Sequence, residues 1–210
     1  DGLTSPELAV LLAYAKIQVL QELNASDLGL NPWCEHIVVN YFPERLSPEF
    51  DAQIFSHPLR GPIANTVIAN DLINIGGISF VFRALEETGA NTVEVVKAAL
   101  ASLEIFGIRK TWEWITSLPT TVPVSARIAL HLEVRRLLDR AVRWFLQHRG
   151  AGIDIVHEID AYGALVSEYS QVISSALKGQ ESERFLRMAQ RFIDAGAPED
   201  LARSAASGLD

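Results

Sequence analysis

A single cysteine, Cys34, stands in a chain of 210 residues. No internal disulfide can form, and no pair of thiols exists to open a zinc-finger spacing. Cys34 therefore reads as a small buried or half-buried apolar group. Positive charge is also in short supply: 18 Lys and Arg against 26 Asp and Glu leave a net charge of -8. That balance repels phosphate backbones and anionic lipid headgroups in the mean, so nucleic acid and membrane surfaces are poor first readings. Long apolar runs are missing too. The run from Leu8 to Ala15 is closed by Lys16, and the one ending at Phe82 by Arg83, both well short of the roughly 20 residues needed to span a bilayer. The first residues, Asp1-Gly2, are not the basic region of a signal peptide, and the only methionine is Met188. With no evident stop in Ser207-Gly208-Leu209-Asp210, the expectation is a segment of a longer protein.

What is present is helix signal. Hydrophobic residues make up 49% of the chain, enough for one sizeable core or two small helical subdomains. Thr4 followed by Glu7, with Pro6 in the first turn, forms a capping box that starts a helix to about Leu23. Leu8, Leu11, Leu12, Ala15 and Val19 make one face of it, and Val10, Tyr14 and Ile17 another, so it should lie between partners. Short helices are expected at Trp33 to Tyr41 and, capped by Ser47-Pro48, through Ile54. Others run from Ile63 to Ile75, stopped by Gly76-Gly77, and from Ile78 to Thr88, capped by Gly89. Asn91 with Glu94 repeats the capping box for a helix ending at Gly107, and a tryptophan-bearing helix covers Arg109 to Leu118.

After the Pro119 to Pro123 turn, two long helices are expected at Val124 to Arg149 and Ile153 to Lys178, joined by Gly150-Ala151-Gly152. Leu130, Val134, Leu137, Ala141 and Trp144 on the first, and Ile155, Ile159, Tyr162, Val166, Tyr169, Ile173 and Ala176 on the second, alternate spacings of four and three. That pattern predicts an antiparallel helical hairpin over Val124-Lys178. Helices at Glu181 to Ala195 and Ala197 to Ser207 finish the chain. The fold class is all-α, a multi-helix array without a sheet, either as a single region over 1–210 or divided into a subdomain at 1–118 and a hairpin plus terminal helices at 119–210.

Chemistry is harder to place. Gly150-Ala151-Gly152 begins like a dinucleotide-binding turn, but position 155 is Ile155 and helix, not strand, precedes it, so no phosphate cradle is built. His157-Glu158 lacks the second histidine of a zinc-protease motif, because position 161 is Ala161. Asp154 and His157, or His157 and Glu158 with Asp160, could still supply two ligands of some metal; ordinary helix-surface polarity is the favoured reading. His36, His57 and His131 read as satisfied histidines, and neither a nucleophile turn nor a paired carboxylate cleft can be assigned. Arg136, Arg140 and Arg143 form a basic stripe beside Trp144. It is either a contact for an acidic partner or a solvated face neutralised by Glu133 and Asp139, with Arg135 and Asp139 as a further four-residue pair.

The opening stretch Gly2-Leu3-Thr4-Ser5-Pro6-Glu7-Leu8-Ala9-Val10-Leu11-Leu12-Ala13-Tyr14-Ala15-Lys16 resembles a block of the very long NAD-specific glutamate dehydrogenases of bacterial type. Tyr41-Phe42-Pro43, His57-Pro58-Leu59-Arg60, Ile78-Ser79-Phe80-Val81-Phe82-Arg83, Glu86-Glu87-Thr88-Gly89-Ala90 and Arg143-Trp144 follow in the order of the region after that family's catalytic domain. The likeness is strongest from Gly2 to about Arg149. Ser5 replaces a usual Arg, Ile75 replaces another, and Pro62 replaces an acidic residue and should shorten its helix.

The resemblance implies a cytoplasmic, oligomeric parent enzyme of amino-acid catabolism. That parent oxidatively deaminates L-glutamate to 2-oxoglutarate and ammonium and passes hydride to NAD. It implies that this segment holds no catalytic, cofactor-binding or metal residue, and that its partners are the catalytic domain and further subunits. Leu12 and Val19 are the expected docking residues on the first helix, and Arg136, Arg140 and Arg143 on the later one. Two other classes stay open: a stand-alone helical adaptor that binds proteins, and a metal-dependent enzyme using Asp154, His157 and Glu158.

Overall fold

A computed structural model describes residues 2–46 and 48–207, without the side chains of Ala151, Gln171, Ser174 and Ser207. The expected cap at Ser47 and the chain end Gly208-Leu209-Asp210 lie outside the described residues. Eleven α-helices and four short 3-10 turns make up 81% of the described residues, and no strand occurs among them. The all-α expectation holds. The chain divides into two compact units, one up to Val96 and the other from Lys97 onwards, each described here by itself.

The first unit begins with α1, Ser5–Asn24. The Glu7 carboxylate accepts hydrogen bonds from the Thr4 N–H at 2.8 Å and the Thr4 hydroxyl at 2.7 Å. These bonds tie down the helix start that the Thr-x-x-Glu spacing announces. Then come α2 (Glu35–Tyr41), α3 (Asp51–Phe55), α4 (Arg60–Gly76) and α5 (Phe80–Thr88). The middle of the unit is α4, which packs on α1, α2 and α5 and buries Ala64, Ile68, Ala69, Leu72, Ile73 and Ile75.

Pro62 does not shorten α4. It sits within the first turn, where backbone N–H groups have no intrahelical acceptor, so the missing donor costs nothing. The expected start at Ile63 is corrected to Arg60. The next helix begins at Phe80 rather than Ile78 and closes on Gly89 in the left-handed conformation, φ 70°, which glycine adopts without steric cost.

Between α1 and α4 the chain passes through a 3-10 turn, Leu28–Leu30, that packs against α4. A Cβ built on Gly29 would lie 2.4 Å from the Gly61 carbonyl oxygen, so the approach requires glycine. Asn65, on α4, donates to the Asn24 side chain at 3.0 Å.

The division between the units falls inside α6, Thr92–Ile105. Asn91 and Glu94 exchange hydrogen bonds of 2.8 and 3.0 Å at its start, the second capping box read from the sequence. From Val95 to Leu103 its side chains are at most 1% exposed at positions 95, 96, 98, 99, 100, 101, 102 and 103, which makes it a helix buried around its circumference.

The second unit continues with α7 (Ile108–Ser117), α8 (Val124–Arg149), α9 (Ile155–Ala176), α10 (Gln180–Asp194) and α11 (Glu199–Ser207). α8 packs on α7, α10 and α11, and α11 packs on α10 and α9. α7 lies with α8 in the second unit.

The expected hairpin is present in sequence order, with α9 trimmed to Ile155–Ala176, but not as a closely packed pair. α8 and α9 meet through Trp144, Phe145, Arg149, Glu158 and Tyr162 near the Gly150–Gly152 turn. Beyond that an apolar cleft separates them. Val134 and Leu137 line it from α8, and Ile159, Val166 and Ile173 from α9. The seven-residue spacing found in the sequence is satisfied by facing a gap rather than by closing a seam.

No single helix among the described residues is long and apolar enough to cross a membrane. α4 and α5 together have the composition, but they are bent by 87° at their junction. Their residues Ile68, Leu72, Ile73, Phe80 and Val81 are 0–1% exposed, buried within the unit.

Candidate functional site

Three groups of residues compete for the role of site: the faces of α1, the arginine stripe of α8, and the polar residues at the start of α9.

On α1 the burial pattern splits the helix lengthwise. Ala15, Val19 and Leu23, at successive four-residue steps, are 5, 1 and 0% exposed and hold the helix on its own unit, against α4. Val19 is therefore removed from the docking residues: a side chain 1% exposed already has its partners within the chain. Leu12 is half-buried. The unpartnered part consists of Leu8, Val10, Leu11, Tyr14 and Ile17, with Leu3 just ahead of the helix, all exposed by 43 to 66%. Isolated exposed apolar residues are ordinary on protein surfaces, but six along one helix end make a contiguous patch of the kind that marks an interface. The sequence signal for it was the apolarity of α1 on every side.

The α8 stripe is largely neutralised within its own helix. Arg136 pairs with Glu133 at 2.5 Å and Arg143 with Asp139 at 3.5 Å; Arg143 also donates to the Asp139 carbonyl at 3.1 Å. Asp139 thus takes Arg143, four residues on, as its ion-pair partner, where the sequence had suggested Arg135. Arg140 is exposed. Trp144 is spoken for as well: it stacks on His148 at 4.7 Å between centroids and meets Tyr162 edge-on at 5.6 Å. The stripe offers an acidic partner little that is not already engaged.

The candidate metal set does not converge. Asp154 is the N-cap of α9 and accepts from the His157 N–H at 2.9 Å, which is the capping role its position favours. Glu158 is 2% exposed and receives both of its hydrogen bonds from Arg149, at 2.9 and 3.0 Å. Among the described residues no three His, Cys, Asp or Glu side chains are placed to hold a metal ion.

The remaining histidines have local partners. His36 Nδ1 faces the Trp33 carbonyl at 2.6 Å, and His57 Nδ1 accepts from the Leu59 N–H at 3.1 Å. His131 packs on Trp112 at 4.0 Å, but its buried Nδ1 has no hydrogen-bond partner among the described residues, so it is not the satisfied histidine expected from the sequence. Burial first, then the Arg127 charge, lowers its pKa. Cys34 is 1% exposed, and burial pushes its thiol up to about 11, so it is not a nucleophile at neutral pH.

One feature of the second unit had no counterpart in the sequence reading. The cleft between α8 and α9, about 910 Å³, is lined mostly by apolar side chains from five helices, with Glu104, Lys110, Thr111, Glu133 and three serines among them. Glu133 stands at its margin with one carboxylate oxygen on Arg136 and the other buried without a hydrogen-bond partner. The packing of distant helices that creates the cleft leaves no local trace in spacing.

No strand-turn-helix unit is formed among the described residues, and Gly150–Gly152 links two helices, so these residues do not fit the phosphates of a dinucleotide. A family model described as "Glutamate dehydrogenase, C-terminal" matches residues 1–209. The chain belongs to this family. An NAD-specific glutamate dehydrogenase of Mycobacterium tuberculosis is 35% identical over 208 residues, 99% of this chain and 13% of that protein. Proteins of the same name from Halomonas elongata and Pseudomonas aeruginosa are 32 and 33% identical over 99 and 98% of the chain, again 13% of each. The chain therefore spans about an eighth of the length of these relatives.

Proposed function

We propose that this chain is the non-catalytic C-terminal region of an NAD-dependent glutamate dehydrogenase that packs on the catalytic domain through the exposed apolar end of α1. The parent would convert L-glutamate, NAD and water to 2-oxoglutarate, ammonium and NADH, in the cytoplasm and as a homo-oligomer. The observation that carries the reading is the patch of Leu3, Leu8, Val10, Leu11, Tyr14 and Ile17. Its helix is fixed at one end by the Thr4–Glu7 cap and at the other by burial of Val19 and Leu23. A rigid helix with a bare apolar end loses little conformational entropy on docking. The relatives support the chemistry of the parent by their names, and the helical, turn-linked glycines of this chain support placing that chemistry outside it.

The test is glutamate-dependent NAD reduction by the full-length parent, by this region alone, and by the parent lacking it. Activity in the parent only, with activity or assembly lost on deletion, is the expected result. An inactive parent would overturn the enzyme assignment and return the stand-alone adaptor to first place. A deletion that changes nothing would overturn the docking role.

A further inference from the structure

The strongest unexplained feature is α9. Its residues Ile155, Ile159, Val166 and Ile173 keep the spacing of a helix that packs on another helix. Yet Leu165, Tyr169 and Val172, which continue the same apolar arc, are 61, 54 and 51% exposed. α8, next in sequence, does not close on it; the cleft of about 910 Å³ lies between them.

We infer that this cleft takes an apolar-faced helix from the part of the parent polypeptide outside these 210 residues. The inference rests on the reading of the chain as one region of a longer enzyme. Size is the first argument. A helix about 10 Å across rises 1.5 Å per residue, so two turns occupy about 850 Å³, close to the volume of the cleft. Chemistry is the second. From Ala161 to Leu177 the only charged residue is Glu168, in a chain of net charge -8, and the opposite wall presents Ile105, Phe106, Ile108, Val134 and Leu137, with Glu104, Lys110 and Glu133 as its charged members. Such a groove recognises a helix by apolar anchors at i, i+3 or i+4, and i+7.

Source is the third argument. The chain covers 13% of its relatives, so most of the parent is tethered nearby. A tethered segment docks at a high effective concentration without the area that a free partner needs. A second copy is disfavoured by shape, because an isologous contact would set one concave cleft against another.

Gly163 provides the means of testing this. It lines the cleft, and a Cβ placed there meets only Ile159 Cγ2, at 3.9 Å. Gly163→Leu should therefore put a side chain into the cleft with its Cβ in ordinary van der Waals contact, while also favouring the helix over glycine.

The experiment places a photo-cross-linking residue at Leu165 in the full-length parent, prepared as a mixture of isotopically light and heavy chains, and a second probe at Val10 in a separate sample. The expected result is a cross-link from Leu165 to one helical peptide outside this region, light to light and heavy to heavy only, that disappears in the Gly163→Leu parent while the Val10 cross-link persists. Light-to-heavy cross-links would overturn the inference in favour of a second copy. Absence of any protein cross-link from Leu165, or its survival in Gly163→Leu, would overturn it outright. Failure of the Val10 probe alone would instead count against the α1 docking surface and leave the cleft assignment standing.

Discussion

The Arg149 Nε donates to both carboxylate oxygens of Glu158, at 2.9 and 3.0 Å, across the turn that joins α8 to α9. The two ends of this bridge are unequal. The Glu158 side chain is 2% exposed, whereas that of Arg149 is 33% exposed and lies over the Tyr162 ring at 5.7 Å. Removing Arg149 would strand a buried carboxylate, but removing Glu158 leaves a guanidinium that can turn to water. Arg149→Ala is expected to lower the melting temperature of the parent's C-terminal region more than Glu158→Ala does. Equal losses, or the reverse order, would contradict this.

Gly29 and Gly61 let two backbones touch. Gly29→Ala would bring a methyl carbon to 2.4 Å from the Gly61 carbonyl oxygen and 2.7 Å from Asn65 Oδ1, so the turn between α1 and α4 must shift. Loss of packing and of the Asn65–Asn24 bond should destabilise the first unit by about 1 to 3 kcal/mol, measured by urea denaturation. Gly163→Ala, with its nearest neighbour at 3.9 Å, is the matched control and should cost nothing.

How much of this could be read beforehand varied with the range of the cause. The capping boxes at Thr4–Glu7 and Asn91–Glu94 and the glycine stop at Gly89 depend on neighbours within four residues and were legible. α8 runs over the expected Val124 to Arg149. Pro62 was misjudged because its effect depends on where the helix begins, and Arg60 begins it just far enough upstream. Periodicity placed Val19 and Leu12 on one face but could not say which end of α1 its own unit covers. The seam of α9 was legible as a pattern; whether α8 or something else fills it depends on α7 and α11 holding α8 elsewhere. The close approach of Gly29 to Gly61 joins positions with no local relation and left no signal.

Acid should loosen the start of α1. The Glu7 carboxyl is held below its ordinary value of 4.5, first by the Thr4 hydroxyl and then by the Thr4 backbone N–H. A lowered folded pKa means that the stabilisation is full above 4.5 and is lost as pH falls through the folded value. Amide exchange at Leu8, whose N–H bonds the Thr4 carbonyl at 2.9 Å, should show protection that falls below about pH 4.5 relative to amides in α6. A Glu7→Gln variant should lose this pH dependence.

Cys34 should be silent until the first unit opens. Its thiol donates to the Leu28 carbonyl at 3.4 Å, and burial raises its pKa from 9.0 to about 11. A raised folded pKa favours the folded state below 9.0, with that contribution lost as pH climbs toward about 11. Labelling by an alkylating reagent at pH 8 should follow the unfolding of the unit, with a rate that rises with urea. Rapid labelling of the native protein would contradict the burial described.

The account stands most directly on the α1 patch, and the deciding measurement replaces two of its exposed residues, Val10 and Tyr14, at 53 and 66% exposure, by Asp in the full-length parent. Because neither side chain supports its own unit, the region itself should fold as before. The account predicts that glutamate-dependent NAD reduction falls together with correct assembly, read by sedimentation. A Val10→Asp, Tyr14→Asp parent that assembles and turns over like the wild type would contradict it.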